Sequence, residues 1–89
     1  MSVEFKQKVA KWMKKNPDLA KDFIDNHLSR ILKEPFGAGG KLKTKMRLYS
    51  YHFHRKPEYR AIYSIEDGNI IFHLIASRED IYKDFKNIL

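Results

Sequence analysis

Apolar and polar positions alternate with two different periods along this chain, helical in the first third and strand-like from Leu48 onward. Phe5, Val9, Trp12 and Met13 recur at helical spacing and predict a first helix through Lys15. Val3 to Phe5 reads either as a short first strand or as a backward extension of that helix. Asn16-Pro17-Asp18 then supplies an N-cap residue, a first-turn proline and an acid favoured by the helix dipole. The second helix that follows carries Leu19, Phe23, Ile24, Leu28, Ile31 and Leu32 on one stripe, and Pro35 and Gly37 end it. Gly37-Ala38-Gly39-Gly40 serves chain reversal; it lacks the Gly-x-x-x-x-Gly-Lys-Ser/Thr spacing of a phosphate loop.

From Leu48 the period becomes two. Leu48, Ser50, His52 and His54 fall on one face and Tyr49, Tyr51, Phe53 and Arg55 on the other, so the aromatic face is expected against the helices. Lys56-Pro57-Glu58 interrupts as a hairpin turn would, Tyr59 to Ile65 resumes, and Asp67-Gly68 marks a second hairpin into Ile70 to Ala76. Ser77 with Asp80 forms a capping box for a last helix, with Ile81, Phe85 and Ile88 on its buried stripe. The expected class is α+β: one domain over residues 1–89, with two N-terminal helices packed on a curved antiparallel sheet. The sheet would hold a short first strand and a three-stranded meander, and a short C-terminal helix would close the chain.

Composition narrows the function classes. At 43% hydrophobic and 33% charged, the 89 residues suit one folded domain with a modest core. No run approaches a membrane span, and the basic N-terminus lacks the apolar stretch of a signal peptide, so a cytoplasmic protein is expected. With no cysteine there is neither a disulfide nor a thiolate nucleophile. Four histidines without a clustered acidic partner do not make a metal site, and no cofactor is expected.

The net charge of +7 is concentrated in the middle: residues 41–63 hold 7 basic and 1 acidic side chains, against 8 and 5 in residues 1–40 and 3 and 5 in residues 64–89. Lys41, Lys43, Lys45, Arg47, Arg55 and Lys56 interleave with aromatic residues there, a composition suited to phosphate contacts beside base stacking. A solvated basic surface or a docking face for an acidic protein would look the same. Downstream, the order of elements lets Arg60, Arg78 and Tyr82 gather around a phosphate, because Arg78 falls in the first turn of the last helix and Tyr82 one turn later on the same face.

Tyr59-Arg60-Ala61-Ile62-Tyr63, the Asp67-Gly68 hairpin and Ser77-Arg78-Glu79-Asp80-Ile81-Tyr82 resemble the pattern of the RelE/ParE toxin superfamily. The helix pair, the Lys41-Leu42 element and the strand order match it as well, so the resemblance covers nearly the whole chain. It implies a toxin of a toxin–antitoxin pair, held by a cognate antitoxin. In the RelE branch the activity would be an endoribonuclease that cuts mRNA in the ribosomal A site; in the ParE branch, inhibition of DNA gyrase. A non-catalytic RNA-binding module on the same scaffold stays open.

Metal-free RNA cleavage uses the 2′-hydroxyl as nucleophile and needs a base, cations for the phosphorane and an acid for the 5′-oxygen. His52 and His54 have the alternate spacing of the Lys-x-Lys pair that RelE-like enzymes carry on the corresponding strand. A one-residue slip would exchange His54 for Arg55 at the site. Arg60 and Arg78 would stabilise the phosphate, and the resemblance gives Tyr82 a stacking or proton-transfer role, with packing as its alternative. Tyr49 and Tyr51 are assigned to the core, His27 and His73 to hydrogen-bonded structural positions, and Glu58 to the turn, where it is either a base or, more commonly, a plain turn acid.

Overall fold

The computed structural model describes residues 2–42 and 47–85, the side chains of Tyr82, Asp84 and Phe85 excepted. It is α+β. Strand β1 (Val3–Phe5) leads into helix α1 (Gln7–Lys15), then α2 (Pro17–Asp22), a π-helical turn (Phe23–His27) and α3 (Leu28–Lys33). Strands β2 (Gly40–Lys41), β3 (Leu48–Phe53), β4 (Tyr59–Glu66) and β5 (Asn69–Ser77) follow, and helix α4 (Arg78–Phe85) ends the described chain.

The strands form one sheet in the order β1-β5-β4-β3-β2. The β3-β4-β5 meander is antiparallel, as the alternation and the Asp67-Gly68 turn require. The sheet as a whole is mixed, however, because β1 runs parallel to β5 with Val3 opposite Ile70 and Phe5 opposite Phe72. A three-residue strand carries no signal for its direction. The glycine-rich link also contributes an edge strand, Gly40–Lys41 against Ser50 and Tyr49.

Helices α1 to α3 cover one face. Val9, Phe23 and Ile31 are fully buried there against Tyr49, Tyr51, Phe53, Ala61, Tyr63 and Phe72. The aromatic side of β3 does meet the helices, with Phe23 and Phe53 ring centroids 5.0 Å apart. The opposite face carries a smaller core of Leu48, Ile62, Leu74 and Ala76 under Ile81 of α4.

The expected stripe on the second helix is corrected at two positions: Ile24 and Leu32 are exposed. Phe23 and Ile31 are eight residues apart, about 2.2 turns of a regular α-helix, which would leave them about 80° apart around the axis. The wider turn at Phe23–His27 absorbs roughly one residue and brings them into line. It also turns His27 inward, where its Nδ1 lies 2.8 Å from the Tyr51 hydroxyl and its Nε2 lies 3.4 Å from Asp22. Asn16 occupies the N-cap position of α2 with Pro17 after it, as expected, but its side chain makes no capping bond to that helix. Its side-chain amide donates to the Trp12 carbonyl at 3.0 Å and so closes the end of α1.

Gly39 does more than reverse the chain. A Cβ there would stand 2.7 Å from the Tyr63 hydroxyl and 3.2 Å from the Ser50 carbonyl. The missing side chain lets Tyr63 reach past and donate to the Pro35 carbonyl at 2.8 Å, which anchors the end of the helical layer to the sheet centre.

Candidate functional site

The β3–β4 connection builds the site. His52 stands opposite Arg60 in the ladder, and Arg60 stands opposite Ala76, so both polar side chains project from the face that α4 partly covers. Glu58 lies two residues before Arg60 and shares its side of the sheet. The outcome is a cluster: His52 Nδ1 is 2.7 Å from Glu58 Oε1, and Glu58 Oε2 is 4.0 Å from Arg60 Nη2.

Exposure divides the roles within it. The His52 side chain is 51% exposed, Glu58 28% and Arg60 19%, so the imidazole is the outermost group and the guanidinium is held beneath. A carboxylate has no proton to give, and the short contact therefore places the proton on His52 Nδ1. In the neutral ring this leaves the Nε2 lone pair available as a proton acceptor. Glu58 thus orients the histidine as a carboxylate orients the histidine of a hydrolytic triad.

Arg78 joins through the main chain, its N–H donating to the Glu58 carbonyl at 2.8 Å. Its side chain is exposed in the first turn of α4, and among the described residues it forms no ion pair with Glu79 or Asp80. The cap expected for this helix is present: the Ser77 hydroxyl donates to Asp80 at 3.1 Å and accepts from the Asp80 N–H at 3.4 Å.

His54 departs from the sequence reading. The strand stops at Phe53, and His54 adopts a left-handed backbone with φ of 62°, which breaks the alternation. Its Nδ1 is 2.9 Å from the Pro57 carbonyl, and its ring packs edge-on near Tyr59, a residue of the helix-side core. Arg55, expected on the aromatic face, lies with Lys56 in the exposed turn. His52 and His54 are therefore not a pair on one face. The partner of His52 is Glu58, for which the sequence offers a base or a simple turn acid.

The basic segment does not form one compact patch. Lys41 and Arg47 lie near the start of β3 and Arg55 and Lys56 beyond its end, separated by a six-residue strand about 20 Å long. All four are exposed. Lys43, Lys45 and the Tyr82 side chain lie outside the described residues. Among the described residues no three His, Cys, Asp or Glu side chains gather closely enough to hold a metal ion, and no helix is long and apolar enough to cross a membrane.

His73 holds a structural place at the irregularity where Ile62 pairs with Leu74 and Tyr63 with Phe72. Its Nε2 is 2.7 Å from the Ser64 hydroxyl, which donates onward to Glu66 at 3.1 Å. Burial pushes its pKa down, partly offset by Glu66. Comparison with known proteins adds no relative: no family model, curated protein or solved structure matches the chain.

Proposed function

We propose that this protein is an endoribonuclease of the RelE-like toxin type, cutting mRNA without a cofactor, in the cytoplasm and at the ribosomal A site. The observation that carries the reading is the His52–Glu58 contact beside Arg60, with Arg78 tied to Glu58 through the main chain. His52 Nε2 takes the proton of a ribose 2′-hydroxyl, the 2′-oxygen attacks the adjacent phosphorus, and the bond to the 5′-oxygen breaks to leave a 2′,3′-cyclic phosphate. Arg60 and Arg78 stabilise the added negative charge of the phosphorane. The departing 5′-oxygen takes a proton from an acid, the role the resemblance offers to Tyr82. A cognate antitoxin with an acidic or amphipathic segment would hold the toxin in the resting cell.

A gyrase inhibitor without chemistry is the competing reading, favoured by exposed apolar side chains on the helical layer at Ile24, Leu32 and Phe36. The two separate in one comparison. Primer extension on a translated mRNA after induced expression shows new 5′ ends if the enzyme reading holds, and these disappear with His52→Ala. Intact mRNA together with blocked supercoiling by gyrase would replace it with the inhibitor.

A further inference from the structure

A second feature lies at the β5 side of the sheet, past its pairing with β1, between α1 on one face and α4 on the other. A groove of about 620 Å³ runs between α1 and α4 over the last residues of β5. Lys8, Lys11 and Lys15 recur on α1 at spacings of three and four, so they share one face and line one wall. Lys83 of α4 lines the other, and Asp80 is the single acid among the described lining residues. Trp12, set between the lysines, is half-buried and meets Tyr59 edge-on at 5.6 Å, so the groove carries an aromatic platform among four exposed cations.

We propose that this groove binds a single-stranded segment of RNA, the lysines holding successive phosphates and Trp12 stacking on a base. Cationic walls with an aromatic platform are the means by which single strands are held without sequence readout. An extended acidic peptide fits less well. It would meet the lysines but leave Trp12 without a stacking partner, whereas a nucleic-acid strand uses both. The groove also adjoins the proposed catalytic cluster: Tyr59 lies between Glu58 and Arg60 in sequence, and Ser77, its partner in the ladder, immediately precedes Arg78. A strand held here is positioned to pass over the sheet rim to His52. That the nucleic acid is RNA rests on the function proposed above.

Trp12 is the only tryptophan of the chain, so its emission reports this groove alone. The full-length His52→Ala protein, which leaves the strand uncut, is titrated with ten-nucleotide oligouridine, oligoadenosine and their deoxy counterparts, and with polyglutamate. The expected result is saturable quenching by the oligoribonucleotides, with a log–log salt slope near about −3 if all four lysines engage. Lys8→Glu with Lys15→Glu should weaken binding at least about tenfold. Lys11→Gln and Lys83→Gln, milder surface changes, should each reduce the salt slope by about 0.7.

Absent quenching, or lysine variants that bind as tightly as the parent, would overturn the groove. Polyglutamate quenching at equal affinity would reassign it to an acidic protein, and preference for the deoxy strands would reassign it to DNA. Cleavage by the wild-type protein is scored on the same RNA. Quenching without any cleavage removes the enzyme reading and leaves the groove standing; cleavage without quenching does the reverse.

Discussion

Glu58 and His52 face each other across the β3–β4 turn, carboxylate oxygen to Nδ1 at 2.7 Å, and this one contact fixes the orientation of the imidazole on which the proposed base role rests. Replacement of His52 by Ala is expected to lower RNA cleavage by about two to four orders of magnitude. Glu58→Gln keeps the shape but lets an amide N–H compete for Nδ1, so it should cost at least about tenfold and up to the His52 effect. His54→Ala should stay near wild type, because His54 turns away to Pro57. Single-turnover rates on one RNA measure all three; loss with His54→Ala alone would sink the assignment.

Arg60 and Arg78 differ in burial, which separates their expected phenotypes. Either Ala variant should lower cleavage by about two to three orders of magnitude, with Lys restoring part of it. Arg78 is exposed, so Arg78→Ala should melt like the parent, whereas loss of the largely buried Arg60 should also lower the melting temperature. Full activity in the Arg60→Ala, Arg78→Ala double variant would remove the mechanism.

Gly39→Ala is expected to destabilise the fold by about 1–3 kcal/mol, since the new methyl displaces the Tyr63 hydroxyl from Pro35. Burial pushes the Tyr63 pKa up to about 12. The folded protein keeps a proton that the unfolded chain releases above about pH 10, so stability should fall as pH rises from 10 toward 12. Denaturant titrations across that window should show a shallower fall in Tyr63→Phe; an unchanged slope would mean that Tyr63 does not titrate as described.

The acid side has its own reporter. His73 is held neutral by burial, while an unfolded histidine takes up a proton below about pH 6.5, so stability should decline as pH drops through and below that value. His73→Gln keeps a donor for Ser64 without the titration and should flatten this limb. Thermal melts of the two proteins between pH 7 and 5 provide the check, and parallel declines would exclude His73 as the cause.

Local patterning carried most of the architecture. The period-two run from Leu48, the Asp67-Gly68 turn and the Ser77–Asp80 cap all act within a few residues, and each appears where the side chains demand it. The hairpin that sets Arg60 opposite His52 was legible from its turn, but the register that pairs those two residues came from the fold. Other features depended on contacts between distant segments. The parallel docking of β1 on β5 and the π-turn at Phe23–His27 both lie where distant segments pack together, β1 on the chain's last strand and Phe23 on the sheet. The left-handed backbone at His54 ends the alternation at Phe53, two residues before Arg55, to which the periodicity extends it. That single dihedral exchanged His54 for Glu58 as the companion of His52. Residue periodicity specifies which face a side chain occupies, whereas the backbone conformation at a turn, settled by packing at Tyr59 and Pro57, decides which faces meet.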